Sequence, residues 1–188
     1  IAGQNLQNSA KISDCLKKIS LSSKHLLALI NDVLDMSKIE SGKIEIKNEV
    51  FDFKVFIESL TTVYYAQAVS KKLNFDTILI GEVREELIGD SLRLNQIITN
   101  LLSNAIKFTP EGGNVTLRIQ ELREEDELVW FRFQVEDTGC GVAPENMEKI
   151  FNAFEQETSD VAQKYGGTGL GLSISRRFAS LMGGSLIL

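Results

Sequence analysis

A chain of 188 residues has room for one well-packed domain and an appendage. Its 43% hydrophobic and 24% charged residues are a globular composition, which excludes a disordered chain or a coiled coil alone. The net charge of -6 repels a phosphate backbone, and the basic residues are scattered, with Arg176-Arg177 no more than a pair, so general nucleic-acid binding is excluded as well.

The first predicted element is helical. Ile12, Leu16, Ile19, Leu26, Ile30 and Val33 recur with Ser23 and Ser37 in the remaining heptad slots, the seam of a helix packing on partner helices. Glycine at Ser41-Gly42 is a natural stop. Residues 1–8 read as the tail of an earlier helix, and a lone helix with such a stripe needs a bundle to be stable. After Gly42 the period changes, and residues 43–47 alternate as a strand. Residues 55–73 predict a helix and residues 75–80 a second strand. Asp90 precedes a strongly patterned helix over residues 91–108, closed by Thr109-Pro110 because the residue before a proline avoids helix. Residues 115–120 and 128–136 alternate on either side of the charged run 121–127, which predicts an antiparallel hairpin. Residues 139–169 form an irregular stretch of the length usual for functional lids. A last helix over residues 170–182 places Leu170, Ile174, Phe178 and Leu181 on one face. The sum is a helical stem over residues 1–42, then an α+β domain over residues 43–188 with helices on one face of a mixed sheet.

Cys15 and Cys140 lack Cys-x-x-Cys spacing, and His25 is the single histidine. A disulfide framework, a cysteine zinc site and a histidine metal site are therefore not expected, and a reducing cytoplasm is the default setting. No signal peptide opens the chain and no apolar run approaches the ~20 residues that span a bilayer. This segment is expected to make no membrane contact, although a longer parent could carry an anchor.

Three stretches carry chemistry. On the helix of residues 91–108, Asn100, Asn104 and Lys107 fall on one strip beside the core face of Leu94, Ile98, Leu101 and Ala105. Two amides and an ammonium suit a cation with a polyphosphate: an asparagine oxygen is a hard ligand that Mg²⁺ accepts beside waters and substrate phosphates, and lysine adds compact charge. From this helix alone a solvated polar strip reads equally well. In Val135-Glu136-Asp137-Thr138-Gly139-Cys140-Gly141-Val142 a strand delivers a carboxylate and turns through Gly-x-Gly, so backbone can approach a ligand and the carboxylate can accept from an exocyclic amine such as that of adenine. An ordinary Asp-Thr-Gly turn is the alternative there. Cys140 has no histidine to activate it as a nucleophile. In Tyr165-Gly166-Gly167-Thr168-Gly169-Leu170-Gly171-Leu172 glycines lead into a helix whose N–H groups and dipole suit phosphate. No strand precedes this loop and no Gly-Lys-Ser/Thr is present, so it is neither a Rossmann turn nor a P-loop.

The order of these stretches carries a resemblance. Residues 100–109 resemble the N box of the Bergerat-type ATPase superfamily, residues 137–141 its first glycine box and residues 167–171 its second, with Met182-Gly183-Gly184 similar to a lesser third. Ile150-Phe151-Asn152-Ala153-Phe154-Glu155-Gln156 resembles the phenylalanine box in the ATP lid of sensor histidine kinases, and residues 26–43 resemble the second helix of their dimerisation stem. The resemblance covers essentially the whole chain. It implies a two-layer α/β sandwich, with a mixed, mainly antiparallel sheet and helices on one face, preceded by the stem. It implies Asn104 as the Mg²⁺ ligand, Asn100 as its polar neighbour, Lys107 on phosphate, and Phe108 against the adenine, where the family often has tyrosine. Asp137 would bond the adenine amino group, with Gly139, Gly141 and Val142 lining the base. Gly167, Gly169 and Gly171, with Leu170 among them, would hinge the lid and offer N–H groups. Thr168 would offer its hydroxyl and Lys164 would reach the γ-phosphate. Phe151 and Phe154 would anchor the lid, with ordinary core packing as the alternative for that pair.

The resemblance further implies a two-component kinase. ATP and Mg²⁺ sit under the lid, a stem histidine of a homodimeric parent attacks the γ-phosphorus, and an aspartate of a response regulator or receiver domain takes the phosphate. The acceptor in that family is a histidine followed by an acidic residue, whereas His25 is followed by Leu26 and lies in the second stem helix. The chain is therefore expected to bind ATP without phosphorylating itself. Residues 185–188 read as the start of a strand that the family continues into a hairpin. Two other readings stand beside this one. A topoisomerase, mismatch-repair or chaperone ATPase, or a protein serine kinase of the same superfamily, is opposed by the stem-like helix and the Phe-x-x-Phe lid. A non-catalytic adaptor is opposed by intact Asn104, Asp137 and the glycine loop.

Overall fold

In the computed structural model, which describes residues 9–81, 84–155 and 169–188, the first of two compact units, Ile1–Ile44, is built on one helix, α1 (Ser9–Glu40). Leu16, Ile19, Leu26, Ile30 and Val33 are exposed along it. At its end the Gly42 amide donates to the Ile39 carbonyl (3.1 Å) and the Lys43 amide to that of Lys38 (3.0 Å), with Gly42 at a φ of 65°. That paired closure satisfies two of the last carbonyls.

The second unit, Glu45–Leu188, opens differently from the expectation. Residues 43–47 form no strand; β1 is Glu49–Asp52, antiparallel to the short β3, Glu86–Gly89, with Val50 opposite Ile88. The Lys47 amide is instead taken by the Asp90 carboxylate (3.1 Å), which removes it from any ladder. Helix α2 (Phe53–Ser70) starts earlier than residue 55 because Asp52 caps it, accepting from the Val55 amide at 2.8 Å.

The main sheet is β2 (Asn74–Ile80), β4 (Asn114–Glu125) and β5 (Leu128–Asp137), in the order β2-β4-β5. β2 runs parallel to β4, with Phe75 opposite Val115, and β4 antiparallel to β5, with Leu117 opposite Val135. The charged run is strand rather than loop. Only Asp126 and Glu127 turn, at φ 50° and 65°, the pair of left-handed residues that matches hairpin twist. Arg84 bridges Glu121 (2.8 Å) and Glu124 (2.7 Å), which offsets the repulsion along β4.

Val115, Leu117 and Ile119 alternate onto one face of β4 and are buried. Phe53, Ile57, Leu60 and Tyr64 of α2 and Ile98, Leu102 and Ala105 of α3 (Ser91–Phe108) join them in one core. The result is a two-layer α/β sandwich with its helices on one face of a mixed sheet, as the resemblance implied. Two short 3₁₀ turns, Pro144–Asn146 and Lys149–Phe151, follow β5. Helix α4 (Gly171–Leu181) buries Ile174 and Phe178. Residues 185–188 carry no strand pairing. Among the described residues, no helix is long and apolar enough to cross a membrane.

Candidate functional site

Helix α3 is the spine of the site. Asp90, itself buried, caps its start by accepting from the Arg93 amide at 3.0 Å. At its other end, the Thr109 amide and hydroxyl both donate to the Ala105 carbonyl, at 3.0 and 2.7 Å. The Lys71 ammonium donates to the carbonyls of Ile106 (2.6 Å), Lys107 (2.7 Å) and Thr109 (2.8 Å). A cation there completes the orphan carbonyls and complements the helix dipole. Lys71→Met is expected to cost about 2 kcal/mol of stability, since it strips a charged donor from three half-buried acceptors. Chemical denaturation measures this, and an unchanged midpoint would contradict it.

Along α3 the Asn100 carboxamide nitrogen donates to the Ser175 hydroxyl on α4 (3.0 Å), and its oxygen accepts from the Asn104 carboxamide nitrogen (3.5 Å). This arrangement turns the Asn104 oxygen away from Asn100. One turn further on, the half-buried Lys107 ammonium lies 4.7 Å from the centre of the Phe108 ring, and burial lowers its pKa from the ordinary lysine value.

Against the end of α3 lies the turn that follows β5. Asp137 is exposed, and one of its oxygens accepts from the Gly139 amide (2.8 Å). Thr138 is tied to the start of β4: its amide donates to the Asn114 carbonyl (3.1 Å), and its hydroxyl accepts from the Asn114 amide (2.9 Å). A Cβ on Gly139 would lie 2.7 Å from the Asp137 carboxylate and 2.9 Å from the Phe108 carbonyl, so only glycine lets this turn approach α3. Gly141 follows at a φ of 69°, and Val142 is half-buried.

The second glycine turn meets the middle of α3. A Cβ on Gly171 would lie within 2.4 Å of the Asn100 carboxamide oxygen. The Gly169 carbonyl accepts from the Phe154 amide (3.0 Å), which joins the two described ends of the stretch between them. Leu170 is 1% exposed, so its side chain belongs to the core, as its place on the apolar face of the last helix predicts. One expectation needs correction here. The Phe154 ring is 70% exposed, because a φ of 66° directs it outward; Phe154 anchors through its amide instead. Phe151 is half-buried with the Arg176 guanidinium 4.7 Å from its ring centre, and Arg176 also reaches Glu148 at 3.3 Å. Lys164, Gly167 and Thr168 lie outside the described residues.

The structure thus brings Asn100, Asn104 and Gly171 together at one point of α3, and Lys107, Phe108, Asp137 and Gly139 toward its end. Ser175 and Lys71 were missed; Ser175 stands one helical turn after Gly171, a spacing that could have flagged it. The donor set fits Mg²⁺ in one way. Asn104 offers a single hard oxygen, and among the described residues no group of three or more His, Cys, Asp or Glu could hold a metal ion. Phosphate and water oxygens would have to complete the shell.

The family model described as histidine kinase-, DNA gyrase B-, and HSP90-like ATPase matches residues 89–188, a span containing α3, both glycine turns and α4. The chain is 39% identical over 178 residues to the sensory/regulatory protein RpfC of Xanthomonas campestris, covering 94% of this chain and 24% of that protein. It is 38% identical over 173 residues to the signal transduction histidine-protein kinase BarA of Escherichia coli, covering 92% of this chain and 19% of that protein. The chain therefore spans a quarter or less of the length of these relatives. Among solved structures it resembles full-length ShkA in complex with AMPPNP, with a TM-score of 0.71 and 31% identity, covering 91% of this chain and 34% of that one.

Proposed function

We infer, because this chain belongs to the histidine kinase-, DNA gyrase B-, and HSP90-like ATPase family, that it is the ATP-binding catalytic part of a longer sensor histidine kinase. The observation that carries the reading is the convergence on α3: the Gly171 turn and the Asp137-Gly139 turn both meet the helix that carries Asn104. The AMPPNP bound by ShkA and the kinase names of the relatives support it. Residues 1–42 would belong to the dimerisation stem, and residues 43–188 to the catalytic domain.

In this reading the free oxygen of Asp137 accepts from the adenine amino group, while Gly139, Gly141 and Val142 line the base and Phe108 packs on it. Lys107 draws the phosphates, and the backbone of Gly167, Thr168, Gly169, Leu170 and Gly171 offers N–H groups, with Lys164 at the γ-phosphate. Asn104 would hold Mg²⁺, which supplies charge neutralisation for the polyphosphate. Asn100 positions Asn104. A stem histidine of the parent attacks the γ-phosphorus in line; the N–P bond forms, the bond to the β,γ-bridging oxygen breaks, and ADP leaves. The phosphohistidine then passes its phosphoryl group to a response regulator aspartate.

His25, followed by Leu26, is not the acceptor in this account. Incubation of the chain with γ-labelled ATP should leave no acid-labile phosphate on the protein. A phosphohistidine at His25 would overturn that assignment.

A further inference from the structure

We propose that Ser175 is a positioning residue for the cation ligand, acting through the orientation of the Asn100 carboxamide; this rests on the reading of Asn104 as the Mg²⁺ ligand. A carboxamide has two ends of nearly equal size, so shape alone does not decide which faces which neighbour. Here the neighbours decide. Ser175 accepts from the Asn100 nitrogen at 3.0 Å, which leaves the Asn100 oxygen for the Asn104 nitrogen at 3.5 Å. Asn104 is then held with its nitrogen inward and its oxygen outward, the end a cation requires.

Turned the other way, Asn100 would present N–H to Asn104, and the Asn104 oxygen would rotate inward to accept it. In the observed arrangement the Asn100 carboxamide is anchored by its hydrogen bond to Ser175. That side chain is 2% exposed, so bulk water does not stand in for its hydroxyl. Gly171 makes room for this arrangement, since a Cβ there would collide with the Asn100 carboxamide oxygen. Ser175 and Gly171 stand one turn apart on α4, the helix entered from the second glycine turn. The start of α4 therefore sets the cation ligand on α3.

The test uses the whole chain and AMPPNP, titrated with Mg²⁺ and again with the metal chelated. Losing one neutral hydrogen bond corresponds to about a fivefold change in an equilibrium constant. Ser175→Ala should lower the affinity gain due to Mg²⁺ by about that factor with metal-free affinity nearly unchanged, alongside a modest fall in melting temperature because the buried Asn100 N–H loses its acceptor. Ser175→Cys, with a weak acceptor of similar size, should fall between the two. In the Asn100→Ala background, adding Ser175→Ala should change the gain no further. A wild-type gain in Ser175→Ala would overturn the proposal, as would equal losses with and without Mg²⁺, the mark of a merely structural role. A wild-type chain that binds AMPPNP with no gain from Mg²⁺ would remove the reading of Asn104, and this inference with it.

Discussion

Asp137→Ala is expected to lower the affinity for ATP on the order of 100-fold while leaving the melting temperature almost unchanged. The carboxylate is exposed at the end of β5, and one oxygen already accepts from the Gly139 amide at 2.8 Å. Among the described residues the other oxygen has no such local duty, and it suits the exocyclic amine of adenine. A charge-assisted hydrogen bond lost from the middle of a binding site costs far more than a lost surface contact. Asp137→Asn separates the two oxygens by role. Asparagine can keep the turn to Gly139, but its second end is then an N–H donor facing the adenine amine. ATP affinity should fall nearly as far as for alanine, and GTP, which offers a carbonyl at that position, should lose less. Titration calorimetry checks both, and an Asp137→Ala chain that binds ATP like wild type would remove this residue from the site.

Phe178→Ala is expected to cost about 4 kcal/mol of stability, a large part of the total for a domain of this size. The ring is fully buried beneath α4, and the Arg93 guanidinium of α3 lies 4.5 Å from its centre. Removing it opens a cavity that rigid neighbours fill only in part. It also loosens the helix that carries Gly171 and Ser175, so the folded fraction should bind nucleotide more weakly. Phe154→Ala provides the contrast: its ring is 70% exposed, and the loss should stay below about 0.5 kcal/mol. Urea unfolding of the two variants measures the difference, and equal midpoints would contradict it.

Helix α3 was legible in the sequence because its cap, its apolar spacing and its proline stop are all local. Asn100, Asn104, Asp137 and Gly171 were legible for the same reason, since their separations along the chain carry the pattern. What was not legible depends on distant partners. The alternation of residues 43–47 is present, yet pairing is decided by β3, which is only four residues long and announces no period of its own. The charges of residues 121–125 look like a loop until Arg84 arrives from 37 residues away to bridge Glu121. Ser175 is one more serine on an amphipathic helix until Asn100 finds it. Lys71 is one of two adjacent lysines, and only the fold shows which of them closes α3.

Nucleotide binding at α3 is tested most directly by one titration. The unaltered chain and Asn104→Ala are each titrated with AMPPNP, with Mg²⁺ and with the metal chelated. Wild type should bind saturably and more tightly with Mg²⁺, and Asn104→Ala should lose that gain while remaining folded. A folded wild-type chain that binds no adenine nucleotide under either condition, or an Asn104→Ala chain that keeps the full gain, would contradict it.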